Sequence, residues 1–135
     1  GDLQARWGEQ TAGHRAAAVA AYRQAVTLAP TVAAYHTALG LVLVQDGQLA
    51  AGTQELRRAV DLDATDGVAY AYLGDARLAQ EQVADAKWAY ERAIYWAPTL
   101  ARAYAGLAHC YAQLGDTATA AAMRARAQQL AAEKR

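Results

Sequence analysis

Residues 67–100 read GVAYAYLGDARLAQEQVADAKWAYERAIYWAPTL, and this stretch decides the fold. Its first half sets Tyr70, Leu73 and Gly74 at helical spacing and runs into Glu81-Gln82. Its second half carries Ala86, Tyr90 and Ala93 at steps of three or four and ends at Pro98. Such spacing lines up one buried stripe on a helix, so the stretch predicts two helices joined by a short turn. Steps of 34 along the chain recover the same pattern. Leu39-Gly40, Leu73-Gly74 and Leu107-Ala108 recur at that step, as do Ala25, Ala59, Ala93 and Ala127. Pro30 and Pro98 lie two steps apart, and so do the turns Asp46-Gly47-Gln48 and Leu114-Gly115-Asp116. Glycine at such a turn supplies the left-handed residue that closes a helix. A helix pair this small cannot bury its apolar face alone and must stack on its neighbours.

Composition points the same way. Alanine supplies 38 of the 135 residues, against two Pro and no Phe, so helix propensity is high nearly everywhere. An aqueous, alanine-rich chain of this length buries its stripes by packing helix on helix. Thirteen Lys+Arg balance thirteen Asp+Glu, which argues against a nucleic-acid protein, because phosphate neutralisation needs a basic surplus. The single cysteine excludes an internal disulfide framework. The longest apolar runs, Ala16–Tyr22 and Ala38–Val44, fall far short of the roughly 20 residues of a membrane span. No signal-peptide pattern is visible, which predicts a cytoplasmic location, or a periplasmic one for a piece of a longer precursor.

With its pattern of an aromatic, Leu-Gly, a second aromatic, then Ala, an aromatic and Pro, the chain resembles the tetratricopeptide repeat (TPR) family. The unit at 67–100 matches through Tyr70, Leu73, Gly74, Ala86, Tyr90 and Pro98, with Arg77 in place of an aromatic. The unit at 101–134 matches through Tyr104, Leu107, Ala108, Tyr111, Ala120 and Ala127, with Arg124 and Ala132 as departures. The unit at 33–66 is looser and offers His36, Leu39, Gly40, Leu43, Gly52 and Leu56. Residues 1–32 read as a degenerate or partial first repeat, with a first helix over Asp2–Gln10, a loop around Gly13 and a second helix through Ala18, Tyr22 and Ala25. The resemblance implies an all-α fold, a right-handed superhelix of stacked antiparallel helix pairs forming one domain over 1–135. Such arrays usually end in a polar capping helix, whereas this sequence stops at Glu133-Lys134-Arg135.

Catalysis finds no support in the residues. None of the three histidines forms a pair at metal-binding spacing, the chain has no serine, and no glycine-rich phosphate loop exists. No enzyme activity, metal or cofactor is predicted. His36 stands at the aromatic packing position and reads as a packed histidine, and Cys110 reads as a small buried filler.

In the family, the first helices of successive units line a concave groove that holds a partner peptide or helix. The resemblance places Thr37, Leu41 and Val44 there from one unit, then Ala71, Tyr72, Asp75 and Leu78, then Arg102, Gly106, His109 and Gln113. The chaperone-binding subgroup holds a C-terminal carboxylate with Lys, Arg and Asn on this groove. Here Thr37, Leu41, Tyr72 and Gly106 occupy four of those five positions and only Arg102 matches, so that partner is not expected. A mostly apolar groove suits an amphipathic helix or apolar peptide, with Asp75, Arg102 and His109 fixing its direction. Asp75 and His109 hold the same place in adjacent units and are expected side by side.

A second candidate surface lies outside. Trp88 and Tyr95 are seven residues apart with Arg92 between them, so they share a helical face at positions that normally carry exposed charges. Trp96 falls where the family has a buried leucine and is expected in the core. The leading functional reading is a protein–protein interaction module acting as adaptor or scaffold. Alternatives are self-association through the chain ends or the Trp88/Tyr95 face, and a substrate-selecting accessory domain of a larger enzyme.

Overall fold

The computed structural model describes residues 2–134; Gly1 and Arg135, the extremes of the predicted domain, lie outside them. Among the described residues seven helices follow one another: α1 (Asp2–Leu28), α2 (Ala33–Gln45), α3 (Leu49–Leu62), α4 (Gly67–Ala79), α5 (Val83–Trp96), α6 (Ala101–Gln113) and α7 (Thr117–Glu133). No strand occurs among the described residues. The all-α architecture of helix pairs is therefore the one the 34-residue period predicts. By its packing the chain divides into two compact units, one running to Leu62 and the other beginning at Asp63.

In the first unit α2 packs on both α1 and α3. Val19, Leu39 and Leu43 form its core, with Val26, Val42 and Ala51 against them. Two glycines let α2 and α3 meet almost backbone to backbone. A Cβ on Gly40 would stand 2.7 Å from Leu56 Cγ, and one on Gly52 would stand 2.6 Å from Val44 Cγ2. In the second unit α4 pairs with α5 and α6 with α7, and α6 also packs on α4 and α5. Gly67, at the start of α4, lies against Ala97 just past the end of α5, so the pair is antiparallel. The core is mostly alanine, with Tyr70, Leu73, Tyr90, Leu107, Cys110 and Leu130 filling the larger spaces.

The turn after each first helix closes in the same way. The N–H groups of Gln48, Gln82 and Asp116 donate to the carbonyls of Leu43, Arg77 and Tyr111, each at 2.9 Å. The residue before each of them is left-handed: Gly47 at φ 83°, Gly115 at φ 87°, and between them Glu81 at φ 62°. The N–H groups of these left-handed residues donate in turn to the carbonyls of Val44, Ala112 and Leu78, and the two bonds together satisfy the last carbonyls of the helix. Glu81 bears a steric strain that glycine lacks, about 1–2 kcal/mol. Glu81→Gly is expected to raise unfolding stability by about 1 kcal/mol, because the added backbone freedom of glycine offsets part of that gain. A denaturant melt that moves down rather than up would refute the assignment.

His36 is a packed histidine, as its place in the repeat predicts. Its Nδ1 lies 2.8 Å from Glu55 Oε2 and its Nε2 lies 2.7 Å from the Pro30 carbonyl. Both partners accept, so with Glu55 ionised the ring makes both bonds only when each nitrogen carries a proton. Tyr104, two repeats on at the same position, donates its hydroxyl to the Pro98 carbonyl at 2.9 Å. In these two repeats one side chain thus ties the first helix to the proline junction before it.

The start of the chain departs from expectation. Instead of two helices around a loop at Gly13, α1 runs unbroken from Asp2 to Leu28. A Cβ on Gly8 or Gly13 would meet nothing within 4 Å, so neither glycine is in a packed turn. A mid-helix glycine costs about 1 kcal/mol relative to alanine. That is too little to break a helix whose ladder of backbone bonds continues on both sides.

Candidate partner-binding surfaces

The predicted groove residues fall in both units, and each unit is described by itself. On α2, Thr37, Leu41 and Val44 are all half-buried. Thr37 Oγ1 donates to the Ala33 carbonyl at 3.2 Å, and Val44 packs over Gly52. Part of this predicted floor is therefore engaged within the α2–α3 pair.

On the second unit the α4 and α6 residues assemble a connected cluster. Arg102 of α6 forms an ion pair with Asp75 Oδ2 on α4, and its guanidinium lies 4.6 Å from the centre of the Tyr72 ring. The other Asp75 oxygen accepts a 2.5 Å hydrogen bond from the hydroxyl of Tyr90 on α5. Tyr90 reaches it because two small residues make way. A Cβ on Gly74 would stand 2.7 Å from the ring, and one on Gly106 only 2.3 Å. Gly106 is therefore the seat of the Tyr90 ring rather than groove floor. Ala71, also read as groove-facing, is fully buried. Leu78 is half-buried on α4. His109 does not meet Asp75: its Nε2 pairs with Gln113 Nε2 at 2.8 Å, one turn along α6. The expected Asp75–His109 neighbourhood gives way to Asp75–Arg102 because the longer arginine reaches across from the start of α6.

Burial, with the carboxylate of Asp75 beside it, holds the Tyr90 phenol protonated far above its ordinary range. In the unfolded chain the same phenol ionises near pH 10. A raised folded-state value means that the stabilisation is complete below pH 10 and falls as pH rises past it, by about 1.4 kcal/mol per pH unit. Tyr90→Phe is expected to flatten this alkaline loss while lowering stability at neutral pH by about 1–2 kcal/mol through the lost bond to Asp75. Equal alkaline slopes for both proteins would rule this out. Sequence reasoning read Tyr90 as packing alone; the one available signal was Asp75 immediately after the Leu-Gly pair. Cys110, buried on α6 as expected of a filler, has its thiol pushed up by that burial.

The outer face of α5 does gather the predicted residues. The Arg92 guanidinium lies 5.8 Å from the Trp88 ring and 5.9 Å from the Tyr95 ring. Arg77, for which the sequence offered no role, sits 5.8 Å over Trp88. Tyr70 meets Trp88 edge-on at 6.0 Å. Trp96, expected in the core, is 43% exposed and stands edge-on to Tyr95 at 4.9 Å. It lies in the last turn of α5, where its ring packs along the surface against Tyr95. Among the described residues, no group of three or more His, Cys, Asp or Glu is placed to hold a metal, and no helix is long and apolar enough to cross a membrane.

A family profile, that of the tetratricopeptide repeat, matches residues 101–133, the α6–α7 pair. Residues 101–133 are a tetratricopeptide repeat. The helix pairs α2–α3 and α4–α5 carry the same 34-residue register as this TPR pair. Among solved structures, one of MamA is similar at TM-score 0.80 and 25% identity, covering 86% of this chain and 68% of that one. The structure of MamA from residue 41 onward from Desulfovibrio magneticus RS-1 is similar at TM-score 0.81 and 23% identity, covering 90% and 68%. No curated protein matches the sequence. A TPR pair in a MamA-like fold supports, in general terms, a protein–protein interaction scaffold.

Proposed function

We propose that the chain is a non-catalytic adaptor whose second unit binds a peptide or amphipathic helix of a protein partner across α4 and α6. The observation that carries this reading is the Tyr72–Arg102–Asp75–Tyr90 cluster. Tyr72, Asp75 and Arg102 are held in fixed geometry on a face that is still open, since Arg102 is exposed and Tyr72 half-buried, and the buried Tyr90 anchors Asp75 from beneath. Tyrosine and arginine are the residue types that most often carry binding energy at interfaces. Because Asp75 already orients Arg102, little side-chain freedom remains to be lost on binding. Leu78 and Tyr72 offer the apolar contacts, while His109 and Gln113 supply polar ones farther along α6. Thr37, Leu41 and Val44 present a smaller, more apolar surface on the first unit.

Selection of a displayed peptide library on the wild-type protein, with Leu78→Glu as counter-selection, tests this. Enriched peptides are expected to lose at least tenfold in affinity to Leu78→Glu and to Tyr72→Ala, and to bind Trp88→Ala unchanged. Peptides that bind all four proteins equally, or that fail only on Trp88→Ala, would move the site to the outer face of α5.

A further inference from the structure

The first half of α1 is a helix without a partner. Trp7 is 68% exposed, and Leu3, one turn before it, is exposed too. Trp7-Gly8, two residues past the 34-residue step, nevertheless has the large-small form of the pairs Leu39-Gly40, Leu73-Gly74 and Leu107-Ala108 in the first helices of the three complete units, where each leucine is buried. The second half of α1 is in turn a helix with an empty seat. Ala18, Tyr22 and Ala25 stand one 34-residue step before Gly52, Leu56 and Ala59, and two steps before Ala86, Tyr90 and Ala93. Those two triplets are buried, whereas Tyr22 is 36% exposed against 1% for Tyr90.

We propose that a second copy of this chain fills that seat: residues 2–13 of each copy pack on the Ala18/Tyr22/Ala25 face of the other. The exchange is reciprocal and gives a closed dimer with a two-fold axis, in which each copy completes its partner's first helix pair. The template lies within the second unit, where Gly74 receives the Tyr90 ring and Asp75 accepts its hydroxyl. Gly8-Glu9 offers the same combination, a glycine to receive the Tyr22 ring and a carboxylate to accept its hydroxyl. A copy cannot do this for itself. Gly8 and Tyr22 are fourteen residues apart on one continuous helix, about 21 Å along its axis. Burial of Trp7 at a position that is leucine elsewhere drives the association. Gln4 and Thr11 replace larger packing residues of the complete units, so the exchange is weaker than the internal pairs and depends on concentration.

Sedimentation over a range of concentrations is expected to show a shift from one to two chain masses for the wild type, and one mass throughout for Gly8→Leu, whose side chain blocks the Tyr22 ring. A cysteine test keeps the idea falsifiable if that variant misfolds. Ala12 follows Gly8 by four residues as Val44 follows Gly40, and Ala18 lies one 34-residue step before Gly52; Val44 and Gly52 touch in the α2–α3 pair. In a Cys110→Ala background, Ala12→Cys chains mixed with Ala18→Cys chains are expected to give a mixed disulfide dimer upon mild oxidation. Within one unbroken helix these positions lie about 9 Å apart along the axis, beyond the roughly 7 Å reach of a disulfide. An intrachain bond in the doubly substituted chain would mean that α1 breaks and folds back on itself, overturning the exchange. A single chain mass at every concentration without the mixed disulfide, or masses growing beyond two, would overturn it as well.

Discussion

Gly106→Val is expected to lower the unfolding stability of the second unit by about 2–3 kcal/mol, in the upper range for overpacking a well-filled core. The added Cβ would overlap the Tyr90 ring, which lies against both Gly74 and Gly106, so the ring or its helix must shift. Helix propensity works slightly in favour of the substitution, so a loss of this size reports the collision itself. Tyr90→Ala alone is expected to remove about 3–5 kcal/mol, the range for emptying a large aromatic site. The double variant decides the matter. If Gly106 exists to seat Tyr90, valine should partly refill the cavity, and the combined loss should fall short of the sum by more than 1 kcal/mol. Strict additivity in urea melts would show that the two positions act separately. Arg102 supplies a second readout, because pushing Tyr90 aside withdraws a bond from Asp75 and loosens its ion pair with Arg102.

The second large effect is expected at His36. His36→Leu should lower the stability of the first unit by about 2–3 kcal/mol. It leaves the Pro30 carbonyl without its donor and the mostly buried Glu55 with only Arg58, at 3.5 Å. The partial exposure of Glu55 keeps this below the range for a fully buried broken pair. His36→Tyr copies the arrangement of Tyr104 on Pro98 and should recover about 1 kcal/mol. A neutral leucine substitution, or a tyrosine no better than leucine, would show that the latch contributes nothing.

The helix pairs were legible in the sequence because their signals are local. Gly47 and Gly115 carry the backbone angle that ends a helix, and Leu-Gly pairs mark where helices touch closely. Gly13 misled for a related reason: glycine permits a turn but does not impose one, and no packing partner pulled the chain out of the helix there. The candidate site was legible as a set of positions and not as a set of bonds. Asp75 and Arg102 are 27 residues apart and on different helices, and only their relative height on α4 and α6 brings them together. The role of the Tyr90 hydroxyl was hidden in the same way, since its reach depends on two glycines far from it in sequence. Trp96 misled because the family position is filled by a buried leucine, whereas here the wider ring lies along the surface beside Tyr95.

Cys110 gives the second unit a built-in clock. Its sulfur is sealed inside α6 and stays protonated, so a thiol-reactive dye in solution reacts only in the brief intervals when the helix lifts away. With dye at low concentration, the labelling rate divided by that of an exposed thiol gives the fraction of molecules opened at any moment, and its logarithm gives the free energy of the opening that exposes Cys110. A bound ligand bridging α4 and α6 would slow the clock, which makes occupancy of the face measurable without attaching any probe to it.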